Sequence, residues 1–586
     1  MNWSSTLSPE RRARDLAALA AGALDVLVVG GGVTGAGIAL DAATRGLSVG
    51  VVDAQDWAAG TSSRSSKLVH GGLRYLAMLD FRLVHEALRE RALLLGRLAP
   101  HLVRPVPILY PLRSQAERAY AGAGIALYDA MGWTMTDGAW GTSGTGPSTS
   151  QGGRLPRHRH LDRRQTLGLA PGLRPGAVAG GIVYYDAQLD DARFVVELVR
   201  TAAAYGAVPV SRALATGFLL DAGRVTGARL RDTENGAEHE VRARVTVLAT
   251  GPWTEETEAL AGYGRAMQVR PSKGVHLMVP RQRLASAAGL ILRTANSVLF
   301  VLPWGDHWLI GTTDTDWAYP KARPLATAGD IDYLLGELNA VLADPLSAGD
   351  VTAVYAGLRP LVAGAGVVRG PGEGRAVAGA TAKLSREHAI GRPAPGLVVV
   401  SGGKYTTYRV MAADAMDAAV AVGGLHALEC RTSRVALLGA RPGALRPPGV
   451  PAEQWERLHR RYGSLAAEVL APAAADASLA EPLRGGAGYT GAEILYAVTH
   501  EGARHLDDVL SRRTRAAIES DDGAMAAAPQ AVALMAPLLG WGPTAVAAEL
   551  DDWQRQAALR ERSAGVADDA AADELAGAVA PLLPLP

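Results

Sequence analysis

The chain has 586 residues, of which 48% are hydrophobic and 20% charged, and its 59 Lys and Arg against 58 Asp and Glu give a formal net charge of +1. This length predicts two or three domains, and the near-neutral balance argues against nucleic acid as the main partner. The single cysteine, Cys430, excludes an internal disulfide and a Cys-based metal cage, and no metal site is predicted. The sequence has no run of about 20 apolar residues, and its N-terminus lacks the basic, apolar and cleavage segments that follow one another in a signal peptide. We therefore expect an intracellular protein, which can still lie on a membrane face.

The N-terminal region predicts a βαβ unit. Ser8 and Pro9 have the chemistry of a helix start, with Ser8 as the N-cap. A strand buried on both faces is predicted over 25–29, a helix over 36–45 and a second buried strand over 47–52. Such a unit, about thirty residues long, is the scaffold of dinucleotide sites.

A glycine-rich turn joins the first strand to the helix. Gly30 permits the tight turn, Gly32 leaves room for a pyrophosphate at the helix N-terminus, and Gly35 lets the helix approach the strand. Asp53 ends the second strand, where its carboxylate can accept hydrogen bonds from ribose hydroxyls. This spacing predicts a site for the ADP half of FAD or NAD and does not choose between them.

The rest of the chain predicts mixed structure followed by helices. A strand is predicted over 181–185, and Asp190 or Asp191 is predicted to cap the next helix. Asn235 and Gly236 predict a type I′ hairpin turn. Further predictions are antiparallel sheet over 269–316, a helix over 331–341, a strand over 397–400, a linker over 441–451 and an all-α region beyond it; 144–153 is predicted to be a polar loop.

A run of hydroxyl and glycine residues follows Asp53 and reads Thr61-Ser62-Ser63-Arg64-Ser65-Ser66-Lys67-Leu68-Val69-His70-Gly71-Gly72-Leu73-Arg74-Tyr75-Leu76. It resembles the FAD-dependent glycerol-3-phosphate dehydrogenases and the related glycerol-3-phosphate oxidases. Further segments are similar to that family at 248–253, 273–276, 311–314, 357–361, 402–409 and 507–515. Two departures are visible: Asp53 stands where Glu is usual in flavoproteins of this superfamily, and the segment around Arg386 matches only loosely.

The resemblance implies an α/β fold: a Rossmann-like FAD-binding domain of the glutathione-reductase/D-amino-acid-oxidase type, an antiparallel-sheet substrate domain and an all-α C-terminal cap. We expect residues 1–112, 176–268 and 355–430 in the FAD-binding domain and 113–175 and 269–354 in the substrate-binding domain. The linker is then 431–451 and the helical C-terminal domain 452–586.

The resemblance also implies the roles of individual residues. For FAD binding these are Gly30, Gly32, Val33, Thr34, Gly35, Asp53, Ala54, Thr61, Ser62, Ser63, Ser66, Lys67, Leu68, Gly71, Gly72, Ala249, Thr250, Gly251, Trp253, Gly403 and Thr406. For the substrate they are Arg74, Tyr75, Arg386 and Lys404, with Arg359, His70 and His276 as catalytic residues. Guanidinium groups suit a phosphate, and a neutral imidazole suits removal of a hydroxyl proton. We interpret Arg512-Arg513-Thr514-Arg515 as a solvated helix face or a clamp between domains.

The expected reaction is oxidation of sn-glycerol 3-phosphate to dihydroxyacetone phosphate by hydride transfer from C2 to flavin N5, in glycerol and glycerophospholipid metabolism. The dehydrogenase branch implies a quinone acceptor and a cytoplasmic protein bound peripherally to the inner face of the cell membrane, with a homodimer left open. The oxidase branch implies oxygen. Other readings are an amine or amino-acid oxidase of the same fold and a flavin-binding adaptor without enzymatic activity.

Overall fold

The structure is a computed structural model that describes residues 4–73, 80–134, 155–294, 298–363, 387–443 and 445–577. Two β-sheets and a helical C-terminal region make up this part of the chain. The predicted loop over 144–153 and the site residues Arg74, Tyr75 and Arg386 lie outside the described residues.

The first sheet carries the glycine-rich turn. Its strands are β1 Ala23–Val29, β2 Val49–Val52, β7 Val208–Val210, β8 Ala213–Asp221, β9 Arg224–Asp232, β10 Glu238–Leu248, β17 His388–Ala394 and β18 Leu397–Gly402. The strand order is β17-β18-β10-β1-β2-β7, and β8 and β9 extend from β10 as an antiparallel hairpin. β1 pairs in parallel with both β2 and β10, and its last four residues are buried, as expected for a strand covered on both faces.

Three helices cover one face of this sheet: α2 Val33–Thr44, α6 Asp191–Ala204 and α9 Tyr408–Gly423. α1, Pro9–Ala21, packs on the opposite face with β8 and β9. The predicted N-caps are confirmed, since Ser8 Oγ accepts from the Arg11 N–H at 3.2 Å and Asp190 Oδ1 accepts from the Arg193 N–H at 3.2 Å. The predicted βαβ unit is also confirmed, with the helix beginning at Val33 instead of Ala36 and the second strand at Val49 instead of Leu47.

The predicted type I′ turn at Asn235-Gly236 is wrong. Five residues, 233–237, connect β9 to β10, and the Gly236 N–H donates to the Asp232 carbonyl at 2.7 Å. Gly236 has a φ of +77° and Asn235 does not have a positive φ, whereas a type I′ turn requires one at both central residues. The longer loop arises because the strands pair from Arg231 opposite Glu238, a register that the local dipeptide does not set.

The second sheet has ten strands: β3 Leu68–Val69, β4 Arg104–Leu112, β5 Arg159–Leu161, β6 Gly180–Gln188, β11 Val269–Pro280, β12 Gly289–Arg293, β13 Val298–Trp304, β14 His307–Gly311, β15 Thr315–Asp316 and β16 Ala353–Val362. The order is β15-β11-β14-β13-β12-β4-β6-β3, with β16 on β11 and β5 on β6. The predicted antiparallel sheet over 269–316 is confirmed. α5 Arg163–Leu169 and α8 Ala328–Asn339 pack on one face, and α3 Phe81–Leu93 and α4 Gln115–Thr134 on the other.

The predicted domain boundaries stay a prediction, and the two sheets do not divide at them. β4, β6 and β16 hydrogen-bond within the second sheet, although the boundaries at 112, 176 and 355 assign them to the FAD-binding domain. The long strand β6 pairs with β3, β4 and β5, so it joins the segment after the glycine-rich turn to the second sheet.

The C-terminal region is helical, as predicted. Its helices are α10 Ala452–Tyr462, α11 Ala466–Leu470, α12 Gly491–Glu501, α13 Ala516–Glu519, α14 Ala528–Leu539, α15 Pro543–Ala564 and α16 Asp569–Gly577, and α7 Thr254–Ala259 lies earlier in the chain. The described part of the predicted linker, 441–451, contains no helix or strand. Across the ranges described, no helix combines the length and apolar character that crossing a bilayer requires.

Buried ion pairs clamp this helical region onto the first half of the chain. Asp56 accepts from Arg512 Nε at 2.5 Å and from both terminal nitrogens of Arg513 at 2.6 Å. Arg515 pairs with Asp190 and Asp191. All these side chains are buried, so the interpretation of this segment as a clamp is confirmed and that of a solvated helix face is wrong.

Candidate functional site

A cavity of about 350 Å³ lies at the carboxyl ends of β1, β2, β10 and β18, where the first sheet faces β11 and β16 of the second. Open α/β sheets bind ligands at this edge, because the loops that leave parallel strands meet there. The cavity is therefore the candidate active site, and it is lined by loops of the first sheet and by strands of the second.

The glycine-rich turn forms one end of the cavity. Gly30 has a φ of +113°, and a Cβ there would lie 2.4 Å from the Ala249 carbonyl oxygen. A Cβ on Gly35 would lie 1.8 Å from the Gly30 carbonyl oxygen, so only glycine lets α2 approach β1 this closely. Gly32, Val33 and Thr34 line the cavity at the N-terminus of α2, where the helix dipole favours a negatively charged group.

Asp53 lies at the end of β2 with its carboxylate at the cavity wall. Its Oδ2 accepts from the Gly31 N–H at 2.6 Å and its Oδ1 accepts from the Gln55 N–H at 2.7 Å, which fixes the orientation of the carboxylate. Burial raises the pKa of Asp53 to about 6, against the lowering effect of these two hydrogen bonds. Gln55 also lines the cavity and was not predicted.

The hydroxyl segment, residues 61–68, runs along the cavity between the glycine-rich turn and the second sheet. Ser62 Oγ accepts from the Val33 N–H at 2.9 Å, so it touches the first turn of α2. Thr61 Oγ1 donates to the Leu358 carbonyl at 2.6 Å, which ties the segment to β16. The segment therefore connects the nucleotide end of the cavity to its far end.

Arg359 projects from β16 at the far end of the cavity. Its Nη2 donates to Thr312 Oγ1 at 2.9 Å and to the Thr313 carbonyl at 3.0 Å. Its Nη1 lies 3.4 Å from Asp314 Oδ1. A Cβ on Gly274 would lie 2.5 Å from Arg359 Nη2, so the glycine leaves room for the guanidinium against β11. These contacts hold a cationic fork in a fixed place on the cavity wall.

His276 faces the cavity from β11. Its Nε2 lies 2.8 Å from Ser66 Oγ, and its ring stacks on Tyr355 with centroids 4.9 Å apart and planes at 15°. Burial lowers the pKa of His276 well below its usual value, and the charges of Arg359 and Lys67 lower it further. The imidazole is therefore neutral at neutral pH and is a weak base.

His70 and Lys404 also line the cavity. The His70 N–H donates to Thr406 Oγ1 at 3.2 Å, and its ring meets Phe300 edge-on with centroids 6.1 Å apart. Lys404 precedes the short helical turn at 405–407, directly after β18. The structure thus brings Arg359, His70, His276 and Lys404 into one cavity with the glycine-rich turn.

Most of the predicted FAD-binding residues line this cavity: Gly30, Gly32, Val33, Thr34, Asp53, Ala54, Thr61, Ser62, Ser66, Leu68, Ala249, Thr250, Gly251, Trp253, Gly403 and Thr406. Gly35, Ser63, Lys67, Gly71 and Gly72 do not line it. Lys67 turns away because its ammonium pairs with the buried Asp191 carboxylate at 2.8 Å and lies over the rings of Trp304 and Tyr355. Gly71 packs instead against Leu88 and Tyr128.

Sequence reasoning missed several lining residues. They include Arg64, Ser65, residues 213–215, Glu256, Gly274 and Tyr405. Arg64 and Ser65 belong to the hydroxyl segment, so their place in that motif was a usable signal. Residues 213–215 belong to β8, which reaches the cavity through strand pairing, and no local pattern marks them.

Comparison with known proteins identifies the family. A family model described as "FAD dependent oxidoreductase" matches residues 25–416, and one described as "C-terminal domain of alpha-glycerophosphate oxidase" matches residues 430–546. Over 98% of its length the chain is 47% identical to "Glycerol-3-phosphate dehydrogenase 2" of Mycobacterium tuberculosis, of which it covers 94%. The chain belongs to the FAD-dependent glycerol-3-phosphate dehydrogenase family.

Two further members of the dehydrogenase family support this placement. The mitochondrial glycerol-3-phosphate dehydrogenase of Mesocricetus auratus is 34% identical over 93% of this chain and 74% of its own. The crystal structure of the Bacillus halodurans dehydrogenase, a complex with FAD, is 27% identical, covers 95% of this chain and 98% of its own, and superposes with a TM-score of 0.72. The chain has the FAD-binding fold of this dehydrogenase family and uses FAD.

The residues of the cavity fit FAD. The turn that holds Gly30, Gly32 and Gly35 leaves the N-terminus of α2 open to a pyrophosphate. Thr250 Oγ1, on the cavity wall, is buried and has no hydrogen-bond partner among the residues that the structure describes. A buried hydroxyl of this kind suits a polar ligand, because buried polar groups are nearly always hydrogen-bonded.

Proposed function

We propose that the chain oxidises sn-glycerol 3-phosphate to dihydroxyacetone phosphate at this cavity. The observation that supports it best is the placement of Arg359 and Lys404 on the wall of the cavity that begins at the glycine-rich turn. FAD, when bound, supplies the acceptor for the hydride that leaves C2. The protein then has to bind a phosphate, orient C2 and remove the proton of the C2 hydroxyl.

Cationic side chains carry the binding and the charge stabilisation. Lys404, with the predicted Arg74, Tyr75 and Arg386, binds the phosphate, and Arg359 stabilises the alkoxide that develops at C2. In support, Arg359 is held by Thr312, Thr313 and Asp314, so its charge does not have to reorganise when the alkoxide forms. The three residues outside the described ranges enter this proposal through the family resemblance alone.

The proton of the C2 hydroxyl goes to an imidazole. We assign removal of this proton to His70, because the low pKa of His276 makes the His276 ring a poor proton acceptor. His276 stays neutral in this proposal, and its Nε2, 2.8 Å from Ser66 Oγ, holds that hydroxyl at the wall of the cavity.

The electron acceptor in this proposal is a quinone, with the protein peripheral on the inner face of the cell membrane and in the cytoplasm. Relatives of this chain are named dehydrogenases and not oxidases, which favours an acceptor other than oxygen, and the quinone itself enters through the family resemblance. The helical C-terminal region does not discriminate, because the family model that matches it carries the name of an oxidase. The second candidate for the electron acceptor is therefore oxygen. The choice between quinone and oxygen does not depend on whether the protein forms a homodimer.

An anaerobic titration tests the proposal. The purified holoprotein is mixed with glycerol 3-phosphate, with glycerol and with an amino acid, and the visible absorption band of the flavin is followed. We expect bleaching by glycerol 3-phosphate alone, since glycerol lacks the phosphate that the cationic side chains bind. Bleaching by the amino acid, or none by glycerol 3-phosphate, would contradict the proposal. Adding a short-chain quinone or oxygen to the reduced protein then identifies the acceptor.

A further inference from the structure

The carboxylate of Asp191 holds the hydroxyl segment from the side that faces away from the cavity. Asp191 is fully buried at the start of α6, and its Oδ2 accepts from the Ser65 N–H at 3.0 Å and from Ser65 Oγ at 2.7 Å. Its Oδ1 accepts from Lys67 Nζ at 2.8 Å. Three hydrogen bonds to one carboxylate therefore fix two residues of the hydroxyl segment.

Arg515, from the helical C-terminal region, binds this same carboxylate. Its Nη2 donates to Asp191 Oδ1, and its Nε and Nη2 donate to Asp190 Oδ1 at 3.0 and 2.6 Å. Its Nη1 lies 3.4 Å from the Ser63 carbonyl of the hydroxyl segment. The Arg515 side chain is only 3% exposed, so these contacts are formed in a site from which water is excluded.

The hydroxyl segment continues directly to the far end of the cavity. Ser66 follows Ser65 and lies 2.8 Å from His276 Nε2. Tyr355, which stacks on the His276 ring, donates its hydroxyl to the Ser65 carbonyl at 2.8 Å. A displacement of Ser65 would therefore move both the hydroxyl that holds His276 and the ring that supports it.

We infer that Arg515 and Asp191 are positioning residues, through which the helical C-terminal region sets the place of Ser66 and His276 in the active site. The helical region thus contributes to the active site without touching the cavity. If Arg515 only formed ion pairs, it would stabilise the contact between the helical region and the first half of the chain, as Arg513 does through its ion pair with Asp56. The distinguishing feature is that the carboxylate bound by Arg515 is itself hydrogen-bonded to the cavity-lining segment. As far as it concerns the substrate reaction, this inference rests on the proposed function.

Hydrogen exchange tests the placement without substrate. The full-length holoprotein is compared with Arg515→Met and with Arg457→Met, a matched control that breaks an ion pair of 2.5 Å to Glu493 inside the helical region. The Ser65 amide is bonded to Asp191, and the Lys67 amide is bonded to Ser65 Oγ at 3.0 Å. In Arg515→Met we expect these two amides to exchange at least about tenfold faster, the scale of one lost charged hydrogen bond, and in Arg457→Met to exchange at the wild-type rate.

A double-mutant cycle tests the connection to the active site. With glycerol 3-phosphate under anaerobic conditions, Arg515→Met should slow flavin reduction at saturating substrate at least about tenfold in the wild-type background, and far less once Ser66→Ala has removed the hydroxyl. Arg457→Met should have the same small effect in both backgrounds. Arg515→Lys keeps the charge but not the fork, so partial rescue is expected, and this variant also serves if Arg515→Met does not fold.

Wild-type exchange at Ser65 and Lys67 in Arg515→Met, or in Arg515→Lys where only that variant folds, would overturn the inference. Equal acceleration in Arg457→Met would also overturn it, because the effect would then be general loosening of the helical region. Additive effects of Arg515→Met and Ser66→Ala would overturn the connection to His276. A wild-type protein that glycerol 3-phosphate does not reduce would contradict the proposed function alone, because the exchange result does not depend on substrate.

Discussion

Replacing Arg359 by Ala removes a cation that several hydrogen bonds hold in place at the far end of the cavity. Its side chain is 21% exposed, and its guanidinium is bonded to Thr312 Oγ1 at 2.9 Å and the Thr313 carbonyl at 3.0 Å. Loss of a prearranged donor at a desolvated site costs about 2–3 kcal/mol of transition-state stabilisation, which corresponds to about 30- to 150-fold in rate. Arg359→Lys keeps the charge without the fork, so we expect an intermediate rate.

The assay is anaerobic stopped-flow reduction of the flavin by glycerol 3-phosphate at saturation. Arg231→Met is the matched control, because Arg231 lies on β9, does not line the cavity and pairs with the exposed Glu238 at 2.7 Å. An exposed pair of this kind contributes little, so the control should reduce its flavin at close to the wild-type rate. A wild-type rate in Arg359→Ala, with FAD bound, would refute the role assigned to this residue.

Three other predictions test the frame around the site. Asp56→Asn leaves Arg512 and Arg513 without their shared carboxylate and should lower the free energy of unfolding by about 3–5 kcal/mol, measured as a lower urea midpoint. Asp551→Asn, which removes one partner of an exposed ion pair, should leave the urea midpoint unchanged. Burial and the charge of Arg193 lower the pKa of His101 to about 3, below the unfolded value of about 6.5. The unfolded chain therefore binds the extra proton, and the free energy of unfolding should fall by about 1.6 kcal/mol from pH 6.5 to 5. His101→Leu should show a smaller fall over this range, and an unchanged fall would contradict this. Gly35→Ala places a Cβ 1.8 Å from the Gly30 carbonyl oxygen, so the glycine-rich turn must shift and the protein should purify without flavin. Gly217→Ala is the control, because its Cβ meets nothing within 4 Å, and it should keep one flavin per chain.

Local sequence was sufficient for the nucleotide end of the site. The buried strand, the glycine spacing and Asp53 are neighbours along the chain, and their geometry follows from the backbone of one βαβ unit. The hydroxyl segment carried the family resemblance, and its residues that line the cavity form a continuous path toward β11. In this part of the molecule, residues close in sequence are also close in space.

Contacts between distant segments were beyond local reasoning. The placement of Lys67 depends on Asp191 and Arg515, which lie far along the chain, so its motif did not reveal that its ammonium is directed away from the cavity. The low pKa of His276 arises from burial beneath Tyr355 and from the charge of Arg359, neither of which its own segment shows. The prediction of a type I′ turn at Asn235-Gly236 was wrong for the same reason, since the pairing between β9 and β10 sets the loop length.

A single-turnover experiment measures whether this protein oxidises glycerol 3-phosphate with its flavin. The oxidised holoprotein is mixed under anaerobic conditions with excess glycerol 3-phosphate, and the bleached flavin and the dihydroxyacetone phosphate formed are both counted. We expect one dihydroxyacetone phosphate for each flavin reduced, with none formed from glycerol. Flavin that stays oxidised, or flavin that bleaches without an equal amount of this product, would contradict the proposed oxidation of glycerol 3-phosphate at the cavity between the two sheets.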